Sequence, residues 1–146
     1  MERVQIDPLA CAPIESASTI PDAPWILVVD DEVSFLCLID HVLRATGWAV
    51  RTADGAARAM DILNAAPRPP AVVICDVMMP RVDGLELARS MCARIDGLCV
   101  IFISGHLTDV SWWPDDLREH RFLAKPFENA QLVAAVSEAT GGCVPG

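Results

Sequence analysis

The 146-residue sequence lacks the features that mark several large classes of protein. It has no apolar run long enough to cross a membrane, and it does not begin with a basic segment followed by an apolar stretch. Neither membrane insertion nor a secretory signal is therefore predicted. Only 11 residues are Lys or Arg against 20 Asp or Glu, which gives a formal charge of -9. This balance argues against direct nucleic-acid binding, which needs clustered basic residues.

Cysteine and histidine are present, but not at the spacing of a zinc site. The six cysteines include no C-x-x-C pair and mostly lie in apolar segments, and His41, His106 and His120 are scattered. Reduced thiols in the core of a cytoplasmic protein are the simplest interpretation of this pattern.

Apolar residues make up 53% of the chain, enough for one domain with a full hydrophobic core. Short apolar runs alternate five times with amphipathic segments, which predicts a doubly wound parallel α/β sheet with right-handed crossovers. The predicted strands are 25–29, 49–53, 72–75, 98–103 and 122–124, and the predicted helices are about 34–46, 56–64, 85–94 and 129–140.

The predicted domain covers residues 25–140. Residues 1–24 contain four prolines and predict a mostly irregular leader, although a tail that contacts the domain or a partner is an open alternative. Residues 141–146 form a short C-terminal tail, so the sequence as it stands predicts a stand-alone domain.

Chemically reactive side chains follow four of the five predicted strands. Asp30 and Asp31 follow the first strand, Asp76 the third, Ser104 the fourth and Lys125 the fifth. The carboxyl ends of parallel strands meet at one edge of the sheet, where ligands bind. The acids after the first strand are expected to be solvated or to share a cation, because an unpaired buried charge is costly.

Alone, Asp76 could be a nucleophile, a metal ligand or a turn residue. Together with the other acids it predicts an Mg²⁺ site, since carboxylates repel one another unless a hard cation lies between them. A carboxylate beside Mg²⁺ can attack a phosphoryl group, while an ammonium and a hydroxyl stabilise the phosphoryl oxygens.

These motifs resemble the receiver domain of bacterial two-component response regulators. The matching segments are Asp30-Asp31, D-V-M-M-P-R-V-D-G at 76–84, Ser104-Gly105 and Lys125-Pro126-Phe127, and the resemblance covers about residues 25–140. It implies a flavodoxin-like (βα)5 three-layer sandwich with a five-stranded parallel sheet of order 2-1-3-4-5. It also implies a cis peptide bond before Pro126.

The resemblance implies a phosphoryl-acceptor site that uses Mg²⁺. Asp76 would be phosphorylated by a sensor histidine kinase or a histidine phosphotransfer protein. Asp31 and Asp76 would bind Mg²⁺ through their side chains and Met78 through its backbone carbonyl, with Asp30 holding a metal-bound water. Lys125 would pair with the phosphoryl group.

The resemblance also implies a conformational switch. Ser104 would move toward the phosphoryl group, and the ring of Phe122 would rotate inward with it. A plain core role for Phe122 is the alternative, because an aromatic residue in a strand needs no further explanation.

Two departures from the family pattern are visible. Gly105 stands where the family usually has Ala, which predicts a looser loop after Ser104. Residues 106–120 contain Trp112-Trp113-Pro114 in place of the usual fourth helix, so we expect a short or displaced helix starting near Asp115. The tryptophans could pack locally or contact a partner.

The leading functional hypothesis is a phosphorylation-controlled signalling domain that binds an unidentified output protein or passes phosphate along a relay. It would not be an enzyme beyond the transfer to its own aspartate, and a homodimer is one arrangement that it allows. The alternative is a degenerate receiver that acts as a phosphorylation-independent interaction module. A metal-dependent phosphatase is disfavoured, because Met78 stands where that chemistry needs a second acid.

Overall fold

The computed structural model of the protein describes residues 24–79, 82–105 and 120–141. The elements in chain order are β1 (Trp25–Val29), α1 (Val33–Ala45), β2 (Ala49–Ala53), α2 (Ala56–Ala65), β3 (Val72–Asp76), β4 (Met78–Met79), β5 (Val82–Asp83), α3 (Gly84–Arg94), β6 (Val100–Ser104), β7 (Arg121–Ala124) and α4 (Asn129–Ala139). No helix within these three ranges is long and apolar enough to span a membrane.

Five of the strands form one parallel sheet of order β2-β1-β3-β6-β7. This is the predicted order 2-1-3-4-5 once the short strands β4 and β5 are set aside, so the predicted fold is confirmed. β4 and β5 pair with each other in an antiparallel, two-stranded sheet, which the sequence pattern did not predict. The peptide bond between Lys125 and Pro126 is cis, as the resemblance implied.

The sheet is covered by helices on both faces. Successive residues of β1 alternate between two apolar clusters, because side chains along a strand point to opposite faces. Trp25, Leu27 and Val29 pack with residues of α2 and α3, which we call the α2–α3 core. Ile26 and Val28 pack with residues of α1 and α4, which we call the α1–α4 core. Burial on both faces explains why β1, β3 and β6 are continuous apolar runs.

The predicted element ends differ from the structure in small ways. β6 begins at Val100 rather than at residue 98, and it includes Ser104, which the sequence placed just after the strand. β7 is an edge strand with partly exposed residues, so its apolar pattern was short. None of the four cysteines in the described part of the chain forms a disulfide there.

Several sequence expectations fall outside the described residues. They concern the leader up to residue 23, the tail from residue 142, and residues 106–119, where Trp112-Trp113-Pro114 and the expected displaced helix lie. They remain predictions.

Candidate functional site

Polar side chains are buried at one edge of the sheet, where β1, β3 and β6 end. Asp30, Asp76 and Ser104 are the buried polar or charged residues among those that the structure describes, at 0%, 5% and 1% exposure. The strand register brings their backbones together, since Asp76 lies beside Ile103 of β6. The topology therefore places three predicted site residues at the carboxyl edge.

Three carboxylates form a compact cluster at this edge. Oxygen atoms of Asp30, Asp31 and Asp76 all lie within 4.8 Å of one another, with Asp31 exposed and the other two buried. Carboxylate oxygens are the ligands that hard divalent cations prefer, and Mg²⁺ commonly retains several waters besides. The cluster is open to solvent through Asp31, so these residues fit a partly hydrated Mg²⁺ ion.

Asp30 is not simply solvated, because its side chain is buried and has hydrogen-bond partners within the protein. Its Oδ2 atom lies 3.1 Å from Nζ of Lys125, and its Oδ1 atom accepts a hydrogen bond from the Glu32 backbone N–H at 2.9 Å. Of the two expectations for the strand-end acids, solvation and a shared cation, solvation is wrong for Asp30. The cation that it shares in the structure is the Lys125 ammonium.

Lys125 connects the two buried acids. Its Nζ atom is 3.5 Å from Oδ2 of Asp76, in addition to the contact with Asp30. Partial burial opposes the charge of the amine, but attraction to Asp30 and Asp76 outweighs it and raises the pKa of Lys125 above its ordinary value. The side chain therefore stays a cation, which is the state needed to bind phosphoryl oxygens.

The surroundings of Asp30 disfavour its charged form. Burial raises the pKa of its carboxyl from 3.8 to about 6; repulsion from Asp76 adds to this, while the Glu32 N–H and Lys125 oppose it. The same burial raises the pKa of the neighbouring Cys75 thiol, with Asp76 contributing, so that thiol stays protonated.

The start of α3 packs directly against the backbone of Asp76. The Gly84 N–H donates to the Val77 carbonyl at 3.1 Å, and a Cβ atom on Gly84 would lie 2.1 Å from the Asp76 carbonyl oxygen. Only glycine permits this approach. Gly84 enters the sequence analysis only as the last residue of the matching segment 76–84, and this contact was not predicted. The Asp83 carboxylate caps α3 by accepting from the Leu85 N–H at 2.9 Å.

The remaining predicted site residues lie at or near the same edge. Met78 is in β4, two residues beyond Asp76, and pairs with Asp83 of β5. Ser104 ends β6, and its carbonyl accepts from the Lys125 N–H at 2.8 Å. Phe122 is partly buried and packs against the α2–α3 core. The movement expected of Ser104 and Phe122 stays a prediction.

Two aromatic residues at the site, Phe35 and Phe127, were given no role by the sequence analysis, although Phe127 lies in one of the matching segments. The ring centroid of Phe35 lies 4.1 Å from Nζ of Lys125, and the Phe127 ring contacts Phe35 edge-to-face. The sequence showed Phe35 only as one apolar member of α1. Phe35 and Lys125 are ninety positions apart, so no local sequence pattern could indicate their contact.

The sequence model of the response regulator receiver domain matches residues 26–137. The chain is 31% identical over 124 residues to transcriptional regulatory protein FixJ of Azorhizobium caulinodans, covering 84% of this chain and 57% of that protein. It is 35% identical over 115 residues to response regulator MprA of Mycolicibacterium vanbaalenii, covering 75% and 47%. The chain thus spans about half the length of these relatives.

Solved structures agree with this similarity. The receiver domain of NtrX from Brucella abortus superimposes with a TM-score of 0.70 at 32% identity, covering 81% of this chain and 99% of that one. A response regulator receiver domain protein from Clostridium thermocellum gives a TM-score of 0.72 at 28% identity, covering 81% and 94%.

Proposed function

The chain belongs to the response regulator receiver domain family of two-component signalling, and we propose that Asp76 is the residue at which it accepts a phosphoryl group. The observation that carries this proposal is the position of Asp76. Its buried carboxylate lies at the carboxyl edge of the sheet, within reach of two further acids and 3.5 Å from the Lys125 ammonium. These are the groups that attack on phosphorus requires.

In the proposed reaction an Asp76 oxygen attacks the phosphorus of a phosphohistidine on a kinase or phosphotransfer protein. A P–O bond to Asp76 forms, the P–N bond breaks, and the histidine ring leaves with the electron pair of that bond. The attacking Asp76 oxygen becomes the atom that bridges its carbonyl carbon and phosphorus, while Lys125 neutralises negative charge on the other phosphoryl oxygens. The product is an acyl phosphate on the protein itself.

Asp31 and Asp76 would hold Mg²⁺ through their carboxylates and Met78 through its carbonyl, with Asp30 acting through a bound water. When bound, Mg²⁺ supplies positive charge that neutralises phosphoryl oxygens. The carboxylates of Asp30, Asp31 and Asp76 support this assignment by their close approach to one another.

Ser104 and Phe122 are the residues that we propose to report phosphorylation. Ser104 is buried at the end of β6, one residue before the exposed Gly105. Phe122 is partly exposed on the edge strand β7, so its ring can turn inward without breaking the sheet. A change at this edge would alter the surface presented to an output protein.

As a receiver domain, the chain is a signalling domain. We propose that it acts in the cytoplasm, where a histidine kinase or phosphotransfer protein phosphorylates it. The output would be phosphorylation-dependent partner binding or onward transfer in a relay. Its chemistry would end with transfer to and from its own aspartate rather than turnover of a separate substrate.

The experiment that tests the proposal is mass spectrometry of the protein after incubation with acetyl phosphate, with and without Mg²⁺. The wild type should gain the mass of one phosphoryl group only with Mg²⁺, and Asp76→Asn should gain none. Asp54→Asn is the matched control, since Asp54 is an exposed acid just after β2 and outside the carboxylate cluster. It should be labelled like the wild type.

Absence of labelling in a wild-type protein that binds Mg²⁺ would contradict the proposal. That result would favour the alternative of a degenerate receiver that acts as a phosphorylation-independent interaction module. Equal labelling of Asp76→Asn and wild type would place the phosphoryl group on another residue.

A further inference from the structure

The ring of Phe35 lies against the charged end of Lys125, and none of the roles proposed above uses it. Nζ of Lys125 is 4.1 Å from the ring centroid, beside contacts of 3.1 Å to Asp30 and 3.5 Å to Asp76. The negative face of an aromatic ring attracts a cation within about 6 Å. The ammonium thus contacts two carboxylates and one neutral ring.

Phe35 is itself held in place by a second ring. It lies in the first turn of α1, and its N–H donates to the Glu32 carbonyl at 3.1 Å. Its ring centroid is 5.4 Å from that of Phe127, with an interplanar angle of 76°, an edge-to-face arrangement that aromatic pairs favour. Both rings are partly buried against the α1–α4 core. The Phe35 face beside Lys125 is therefore fixed by packing.

We propose that Phe35 is a positioning residue for Lys125, holding its ammonium where it can bind the phosphoryl group on Asp76. This role rests on the proposed function. The shorter ion pair of Lys125 is with Asp30, whereas the group that it must serve is Asp76. An additional attraction from Phe35 restrains the ammonium without adding another charged acceptor.

The neutrality of Phe35 matters for the chemistry. An ammonium has three N–H donors, and a carboxylate or amide at position 35 would take one of them in a strong hydrogen bond. The ring face attracts the charge but leaves the donors available for phosphoryl oxygens. Leucine at this position would fill similar space without attracting the cation.

The test compares Phe35→Leu with Phe35→Tyr by calorimetric titration. Beryllofluoride, which mimics a phosphoryl group on a carboxylate, is titrated in saturating Mg²⁺, and Mg²⁺ is titrated alone. We expect Phe35→Leu to weaken beryllofluoride binding about fivefold, from the loss of one cation–π contact. Mg²⁺ affinity should change less than about twofold, because a neutral ring contributes little to the charge of the carboxylate cluster. Phe35→Tyr keeps the ring face and should bind both as the wild type does.

Val133→Ala is the control for general loss of packing. Val133 is partly buried on α4 against the same α1–α4 core but is not part of the site. It should lower the melting temperature with no change in beryllofluoride affinity. If Val133→Ala weakens beryllofluoride binding as much as Phe35→Leu does, or Phe35→Tyr fails to restore it, the positioning role is wrong.

Failure of this role and failure of the proposed function give different results. If the wild type binds Mg²⁺ but neither beryllofluoride nor a phosphoryl group, the proposed function fails. If the wild type binds beryllofluoride and Phe35→Leu binds it equally well, only the role of Phe35 is overturned.

Discussion

The interior of the sheet and its carboxyl edge are buried to a similar degree, yet burial has opposite consequences for them. Val72, Val73 and Ile74 of β3 are fully buried, and Asp76 at the end of the same strand is 5% exposed. Each buried aliphatic side chain in the interior contributes about 1.5–3 kcal/mol to folding. At the edge, burial disfavours charge, as the raised pKa of Asp30 records. Burial therefore stabilises the folded protein in the interior of the sheet, whereas at the carboxyl edge burial of a carboxylate lowers the stability.

The largest effect should come from the interior. Ile74→Ala removes a fully buried side chain from the middle of β3 and should lower the free energy of unfolding by about 4 kcal/mol, because the packed sheet and helices cannot close the cavity. Urea denaturation measures this loss. Val33→Ala on the exposed side of α1 is the control and should change stability by less than about 0.5 kcal/mol. If both variants lose a similar free energy of unfolding, burial in the interior is not the source of the stability.

The next effect lies where the interior meets the edge. Gly84→Ala should cost about 3 kcal/mol, because its Cβ atom would overlap the Asp76 carbonyl oxygen and push α3 away. Unlike Ile74→Ala, it should also weaken Mg²⁺ binding, since the displaced backbone carries Asp76 and leads into Met78. Urea denaturation and Mg²⁺ titration separate the two effects. A Gly84→Ala protein with wild-type Mg²⁺ affinity would show that the close approach serves packing alone.

At the edge itself, removing a charge should stabilise the protein. In the absence of Mg²⁺ at pH 7, Asp30→Asn should raise the free energy of unfolding by about 2 kcal/mol, because it removes a carboxylate whose ionisation burial disfavours. The same variant should bind Mg²⁺ more weakly, as one negative neighbour is lost. Glu32→Gln, at an exposed position, is the matched control and should alter stability little.

The gain in stability from Asp30→Asn should shrink as the pH is lowered. The pKa of Asp30 is raised from 3.8 to about 6, so between these values the folded protein binds a proton that the unfolded chain does not. The raised pKa of Asp30 therefore contributes to the free energy of unfolding in full below about pH 4, and this contribution is lost as the pH rises through about 6. Urea midpoints of wild type and Asp30→Asn in chelator should converge at low pH. A gap that widens on acidification would contradict this account.

The smallest effect should come from the loop beside Lys125. Gly105→Ala should stabilise the protein by about 0.5 kcal/mol through a less flexible unfolded chain. A Cβ atom there would meet the Lys125 Cβ atom at 3.6 Å, an ordinary contact, and the backbone is not in the left-handed region. Gly97→Ala is the contrasting control, because its φ of 75° strains an alanine and should make that variant less stable. A destabilised Gly105→Ala would mean that the loop needs glycine.

Local patterns predicted much of this fold. β1, β3 and β6 are continuous apolar runs because both of their faces are covered, and each run ends in a polar residue where the core ends. The runs predicted a parallel sheet with Asp76 at its carboxyl edge, whereas the order of the strands was implied by the resemblance to receiver domains. The pairing of β4 with β5 was not predicted, since two-residue strands leave no periodic pattern.

Contacts between distant residues were the part that sequence could not predict. Asp30 and Lys125 are 95 positions apart, and nothing in either segment shows that their charges pair or that Asp30 is buried. The approach of Gly84 to Asp76 is likewise set by the packing of α3 against β3. Such features depend on three-dimensional packing, whereas the residue types at the strand ends were visible in the motifs.

The Asp30–Lys125 pair also has a consequence for biosynthesis. β1 and β7 are not neighbours in the sheet, because β3 and β6 lie between them, so the pair forms only after all of these strands are in place. A ribosome releases β1 before β7. A growing chain, or one truncated before β7, would carry its acids without their counter-charge. The paired acid site would then form in one step, once β7 has emerged, rather than gradually as each earlier strand emerges.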